Sequence, residues 1–135
     1  DFGCVQPVTP ERRRLGSATH LAASTGDHHA FVAAGRAMLG LRGGAHERRA
    51  LDYLREAFRP QFDSPYRMTR DYVAALVEQF REIATASLRE RDGSFVSFPP
   101  GVFFLNRLQF GFYSVLARLN VEVDYAAIER EFLPR

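Results

Sequence analysis

Residues 99–120 read Pro99-Pro100-Gly101-Val102-Phe103-Phe104-Leu105-Asn106-Arg107-Leu108-Gln109-Phe110-Gly111-Phe112-Tyr113-Ser114-Val115-Leu116-Ala117-Arg118-Leu119-Asn120. The paired prolines open a helix, and Asn120 is a plausible stop. On a helical wheel Phe104, Leu105, Leu108, Phe112, Val115, Leu116 and Leu119 make one broad apolar arc. Phe103 and Phe110 lie on a second face, and Arg107, Gly111, Ser114 and Arg118 share a narrow polar stripe. A helix apolar on two faces belongs at the centre of a bundle. Burying seven large side chains gives a gross gain above ~10 kcal/mol. The expectation is an all-α bundle packed around Pro100–Leu119, with Arg107 paired to an acid from a neighbouring helix.

Helical punctuation extends this reading in both directions. Thr9-Pro10-Glu11 supplies an N-cap, a proline at the first helical position and an acid in the first turn, so a helix runs to about Ser24. Asp27 caps the next, from His28 to about Leu39, and Gly40, Gly43 and Gly44 break it. A third spans about Ala45 to Phe58 and ends before Pro60, with a loop from Gln61 to Met68. Thr69 caps the longest helix, about Arg70 to Arg91, in which Tyr72, Leu76, Phe80, Ile83 and Leu88 recur at a helical period. Ser94 to Pro99 reads as extended, and Asp124 caps a short last helix to about Phe132. The sum is six helices, no good strand pair, and one helical domain over 1–135.

Composition narrows the function classes. A quarter of the 135 residues are charged, which argues for a folded chain. The net charge is only +2, so no nucleic-acid partner is expected. Every basic side chain is Arg. Cys4 is the only cysteine, which excludes an internal disulfide and a thiolate metal cage and fits a reducing cytoplasm. No stretch reaches the ~18 uninterrupted apolar residues of a membrane span. His46-Glu47-Arg48-Arg49-Ala50 is not a zinc-binding His-Glu-x-x-His. No Walker loop or Gly-x-Gly-x-x-Gly is present. Arg12-Arg13-Arg14 reads first as a solvated helix face and second as an anion or lipid-headgroup site.

The chain begins Asp1-Phe2-Gly3, without an initiator methionine, and is expected to be a piece of a longer protein. In protein kinases an Asp-Phe-Gly turn carries the aspartate that binds Mg²⁺ on the nucleotide phosphates, and its Phe sets the orientation. A carboxylate in a tight turn suits a hard cation, and Gly3 permits the turn. Asp1 is therefore the candidate metal ligand, with Asp1, Phe2 and Gly3 as the cofactor-binding turn. Asp1 to Val8 is expected to be loosely held. A kinase site also needs a lysine, a phosphate-covering loop and a catalytic loop. None is in this chain, so no catalytic residue is assigned within it.

Asp1-Phe2-Gly3-Cys4-Val5, the Arg-rich helix from Pro10 to Ala23, the Gly26-Asp27 turn, Phe95-Val96-Ser97-Phe98-Pro99-Pro100, Phe104-Leu105-Asn106-Arg107 and the run Leu108–Leu119 together resemble the C-terminal part of the AarF/UbiB/ADCK atypical kinase-like family. The resemblance covers essentially the whole chain. It implies the helical C-terminal lobe of a kinase-like fold. The implied cofactors, ATP with Mg²⁺, belong to the full-length protein. It also implies a link to ubiquinone or other isoprenoid-lipid homeostasis and a peripheral position at a membrane surface. The implied partners are a preceding kinase-like lobe, membrane-surface lipid and isoprenoid-lipid biosynthesis proteins. A reading of another class rests on the Phe-rich segment Phe95–Phe112: a non-catalytic helical module that docks a protein or a lipid through an exposed apolar patch.

Overall fold

The computed structural model describes residues 5–89, 99 and 101–133. Among them the chain is all-α apart from one two-stranded pairing. In order it forms α1 (Pro10–Ser24), α2 (His28–Leu39), α3 (Gly44–Ala57), α4 (Arg59–Phe62), β1 (Tyr66–Arg67), α5 (Arg70–Arg89), α6 (Val102–Leu119), β2 (Glu122–Val123) and α7 (Tyr125–Arg130). The helix starts follow local chemistry. Thr9 Oγ1 accepts from Arg12 N at 3.3 Å, and Asp27 Oδ1 accepts from Ala30 N at 2.9 Å. Thr69 Oγ1 accepts from Tyr72 N at 3.2 Å, and Asp124 Oδ1 accepts from Ala127 N at 2.9 Å. Each satisfies one backbone donor that the first turn leaves open. Gly40 and Asn120 end α2 and α6 in the left-handed region, with φ of 65° and 51°.

Two short elements depart from the sequence reading. Pro60 does not end helix formation: after α3 stops, it lies in the first turn of α4, where its missing N–H is no loss. The strand pair joins Tyr66 to Val123 and Arg67 to Glu122 in antiparallel register. At two residues each, the strands are too short to show a period in sequence. The expected extension of α5 to Arg91 and the extended Phe95–Phe98 stretch lie outside the described residues.

The core is centred on α2, α3 and α5. Phe31 stands edge-on to both Phe58 and Phe62, with ring centroids 5.3 and 4.9 Å away. Ala50, Met68 and Leu76 are fully buried beside them. The C-terminal turn of α3 is held by two tyrosines: Tyr72 Oη donates to Glu56 O at 2.8 Å and Tyr113 Oη to Ala57 O at 3.1 Å.

This arrangement overturns the expected place of the 102–119 helix. α6 packs on α5 through its narrower face, with Phe110 edge-on to Phe80 at 5.8 Å and with Tyr113 and Ala117 buried. Its broad arc faces outward: Leu108 is 72 % exposed and Phe112 64 %. The helix is a flank of the bundle, not its axis. Arg107 is also exposed, and no acid among the described residues pairs with it. A helical wheel reports which faces are apolar. It does not report which of them the chain's own core covers.

Candidate functional site

The exposed arc of α6 borders a cavity of about 840 Å³. α1 packs on α2, α4 and α7, whereas α6 packs on α5, and the space between α1 and α6 stays open. One wall is the face of α1 carrying Arg13, Gly16 and His20. The other is the face of α6 carrying Leu105, Leu108, Phe112 and Leu116. The floor is apolar, built from Met38, Leu39, Tyr53, Leu54 and Phe58. The volume lies within the range of ligand and docking sites, ~300–1,000 Å³.

Chain segments from outside α1 and α6 close the two ends. At one end Gln6, Pro7 and Val8 lie against the start of α6. A Cβ on Gly101 would sit 2.9 Å from Gln6 Cγ, a side chain that can move aside, but its φ of 92° calls for glycine. At the other end α7 is tied across α1. His20 Nδ1 bonds Glu129 Oε1, and Arg130 Nη1 donates to Ser24 O at 3.0 Å. Ser64 Oγ donates to Asp124 Oδ1 at 2.7 Å and accepts from Ala126 N at 3.1 Å, fixing the start of α7. His20 stacks edge-on against Phe58 at 4.7 Å, which orients it toward Glu129.

Burial governs the ionisation of the phenols here. Desolvation pushes the Tyr53, Tyr72 and Tyr113 hydroxyls above the usual tyrosine range. Tyr72 and Tyr113 act as neutral hydrogen-bond donors to carbonyls at the end of α3, not as bases. No cluster of three metal-ligating side chains occurs among the described residues. His46 is a buried core residue on α3. No helix among the described residues is long and apolar enough to cross a membrane.

The sequence candidates Asp1, Phe2 and Gly3 lie outside the described residues. Gln6, Pro7 and Val8 lie at the mouth of the groove. The floor residues carried no local signal, because they meet only through the packing of α2 and α3. The spacing of Leu105, Leu108, Phe112, Val115 and Leu119 did carry one. Steps of three and four residues keep these side chains in one row along α6, narrower than the broad arc read from the wheel. The chain matches no family model, no curated protein and no solved structure.

Proposed function

We propose that this chain is the helical part of an ATP- and Mg²⁺-dependent atypical kinase or ATPase-like protein of the AarF/UbiB/ADCK class, linked to isoprenoid-lipid and ubiquinone homeostasis. In this reading the chain is not catalytic by itself. Asp1 contributes the metal ligand, and the groove between α1 and α6 seats the nucleotide-binding lobe. The protein works in the cytoplasm, peripherally at a membrane surface. The observation that supports the reading is the apolar seam of α6 beside an open groove whose mouth is formed by Gln6–Val8, a few residues past Gly3. A contiguous apolar surface of this kind marks an interaction site. Its mouth follows Asp1-Phe2-Gly3 by only a few residues along the chain, which suits a lobe that brings phosphates to Asp1.

The test is direct. Coding sequence upstream of residue 1 is expected to encode a Lys-x-Gly-Gln segment and a catalytic loop. The two parts expressed together are expected to bind ATP in a Mg²⁺-dependent way, and Asp1→Asn to weaken that binding at least tenfold. The 135-residue chain alone is expected to show no ATP turnover. Upstream sequence without these motifs would favour the non-catalytic module, for which the same groove is the docking surface.

A further inference from the structure

We propose that the element seated in the groove is an amphipathic α-helix with an apolar ridge flanked by carboxylates. The inference rests on the reading of the groove as the seat of a second unit, and it names the chemistry of that unit. Three observations converge. Leu105, Leu108, Phe112, Val115 and Leu119 are exposed and follow each other at steps of three, four, three and four residues. That spacing keeps one row of side chains facing a single partner helix along the whole of α6. The surface is also concave. Spread along the ~21 Å from Val102 to Leu116, the cavity has a cross-section of roughly 40 Å². That is room for the side-chain ridge of a helix, and a flat lipid surface would leave it empty.

The third observation is charge. Val102–Leu119 contains no Asp or Glu, and its only charged residues are Arg107 and Arg118. Both are exposed along the outer edge of the seam, on the side away from the groove. Across the groove the α1 wall presents Arg13, also exposed. Glu129 at the far end is already engaged by His20. A helix lying over the seam therefore has guanidinium groups on both of its sides, and Arg forms its best pairs with carboxylates. A second copy of α6 would meet the apolar row but would bring two more arginines and no acid. Apolar contacts would supply the affinity and the flanking charges the choice of partner.

The experiment uses the 135-residue chain and two synthetic peptides of 18 residues, the length of α6. Both carry Leu at the three-four positions. One has Glu and the other Lys at the flanking positions, and like charges keep each from pairing with itself. Fluorescence anisotropy is expected to show the Glu peptide binding at least tenfold more tightly than the Lys peptide, with the advantage shrinking at high salt. Leu108→Glu and Phe112→Glu, at exposed positions, are expected to abolish binding while circular dichroism stays unchanged. The double variant Arg107→Glu with Arg118→Glu is expected to reverse the preference. Equal binding of the two peptides, or a preference untouched by the Arg variants, would overturn the proposal. A sedimenting dimer that Leu108→Glu dissociates, with no peptide bound, would assign the seam to a second copy. Capture of the chain by phosphatidylglycerol vesicles, with no peptide bound, would assign it to lipid. The nucleotide-binding test above reads a different quantity, so either idea can fail alone.

Discussion

Tyr72 on α5 and Tyr113 on α6 donate their hydroxyls to consecutive carbonyls, Glu56 and Ala57, in the last turn of α3. Their rings lie 6.2 Å apart. The last carbonyls of a helix have no partner within it. Here two neighbouring helices supply the donors, so the end of α3 is the point at which α5 and α6 are locked to it. Tyr72→Phe removes one donor and leaves a carbonyl poorly satisfied, at an expected cost of about 1–2 kcal/mol in chemical denaturation. Tyr113→Phe should cost less, because Gln109 Nε2 also reaches Ala57 O at 3.4 Å.

The same phenols predict the alkaline limit of the fold. Burial raises their ionisation above the unfolded value, so their contribution is complete below pH ~10 and is lost as pH rises beyond it. Ultraviolet absorbance is expected to show Tyr53, Tyr72 and Tyr113 ionising together with the loss of helical circular dichroism. Full ionisation of all tyrosines while the helices persist would contradict their burial.

Stability should separate the two roles of apolar residues. Leu108→Glu lies on an exposed face and is expected to change stability by less than about 0.5 kcal/mol. Leu76→Ala and Phe31→Ala empty the core and are expected to cost about 2–5 kcal/mol each. Thermal or denaturant unfolding of the three variants decides between α6 as a flank and α6 as the axis of the bundle.

What the sequence made legible was local. Thr9, Asp27, Thr69 and Asp124 each cap the helix they were expected to cap, because capping needs only a side-chain oxygen two or three residues before an open N–H. The all-α class follows from those starts and from the helical periods between them. The placement of α6 did not follow. Two apolar faces are compatible with burial on both sides, or with one side kept for a partner, and only the packing of Phe110, Tyr113 and Ala117 on α5 distinguishes them. The groove was illegible for a related reason: Met38, Tyr53 and Phe58 are distant from α6 in sequence and meet it through tertiary packing alone.

Asp124 gives the acid side of the pH profile. The Ala127 N–H and then the Ser64 hydroxyl hold its carboxyl below the usual range. A depressed carboxyl stabilises the fold above its unfolded value of ~3.9, and that contribution disappears as pH falls through the lower folded value. Amide protection at Ala126 and Ala127 is expected to drop in that window before the core of α3 and α5 opens. Asp124→Asn keeps an acceptor for the cap but cannot titrate, so it should remove this early step. An unchanged acid profile in the Asn variant would mean that another group controls the docking of α7.

Gly16 offers a test in the opposite direction. It sits inside α1 on the wall of the groove, and a Cβ added there meets nothing within 4 Å. A helix-interior glycine loses more backbone freedom on folding than alanine does, at a cost of about 0.5–1 kcal/mol. With no steric penalty to offset that gain, Gly16→Ala is expected to stabilise the chain by about that amount and to raise the melting temperature by roughly 2–4 °C. The contrast is Gly35 on α2, where a Cβ would fall 2.6 Å from Leu54 Cδ2 within the core. There the helical gain is opposed by crowding of a buried leucine, and Gly35→Ala is expected to be less stable than Gly16→Ala. A loss of stability on Gly16→Ala would mean that α1 already has a close neighbour on that side, and the groove between α1 and α6 would not be open in solution.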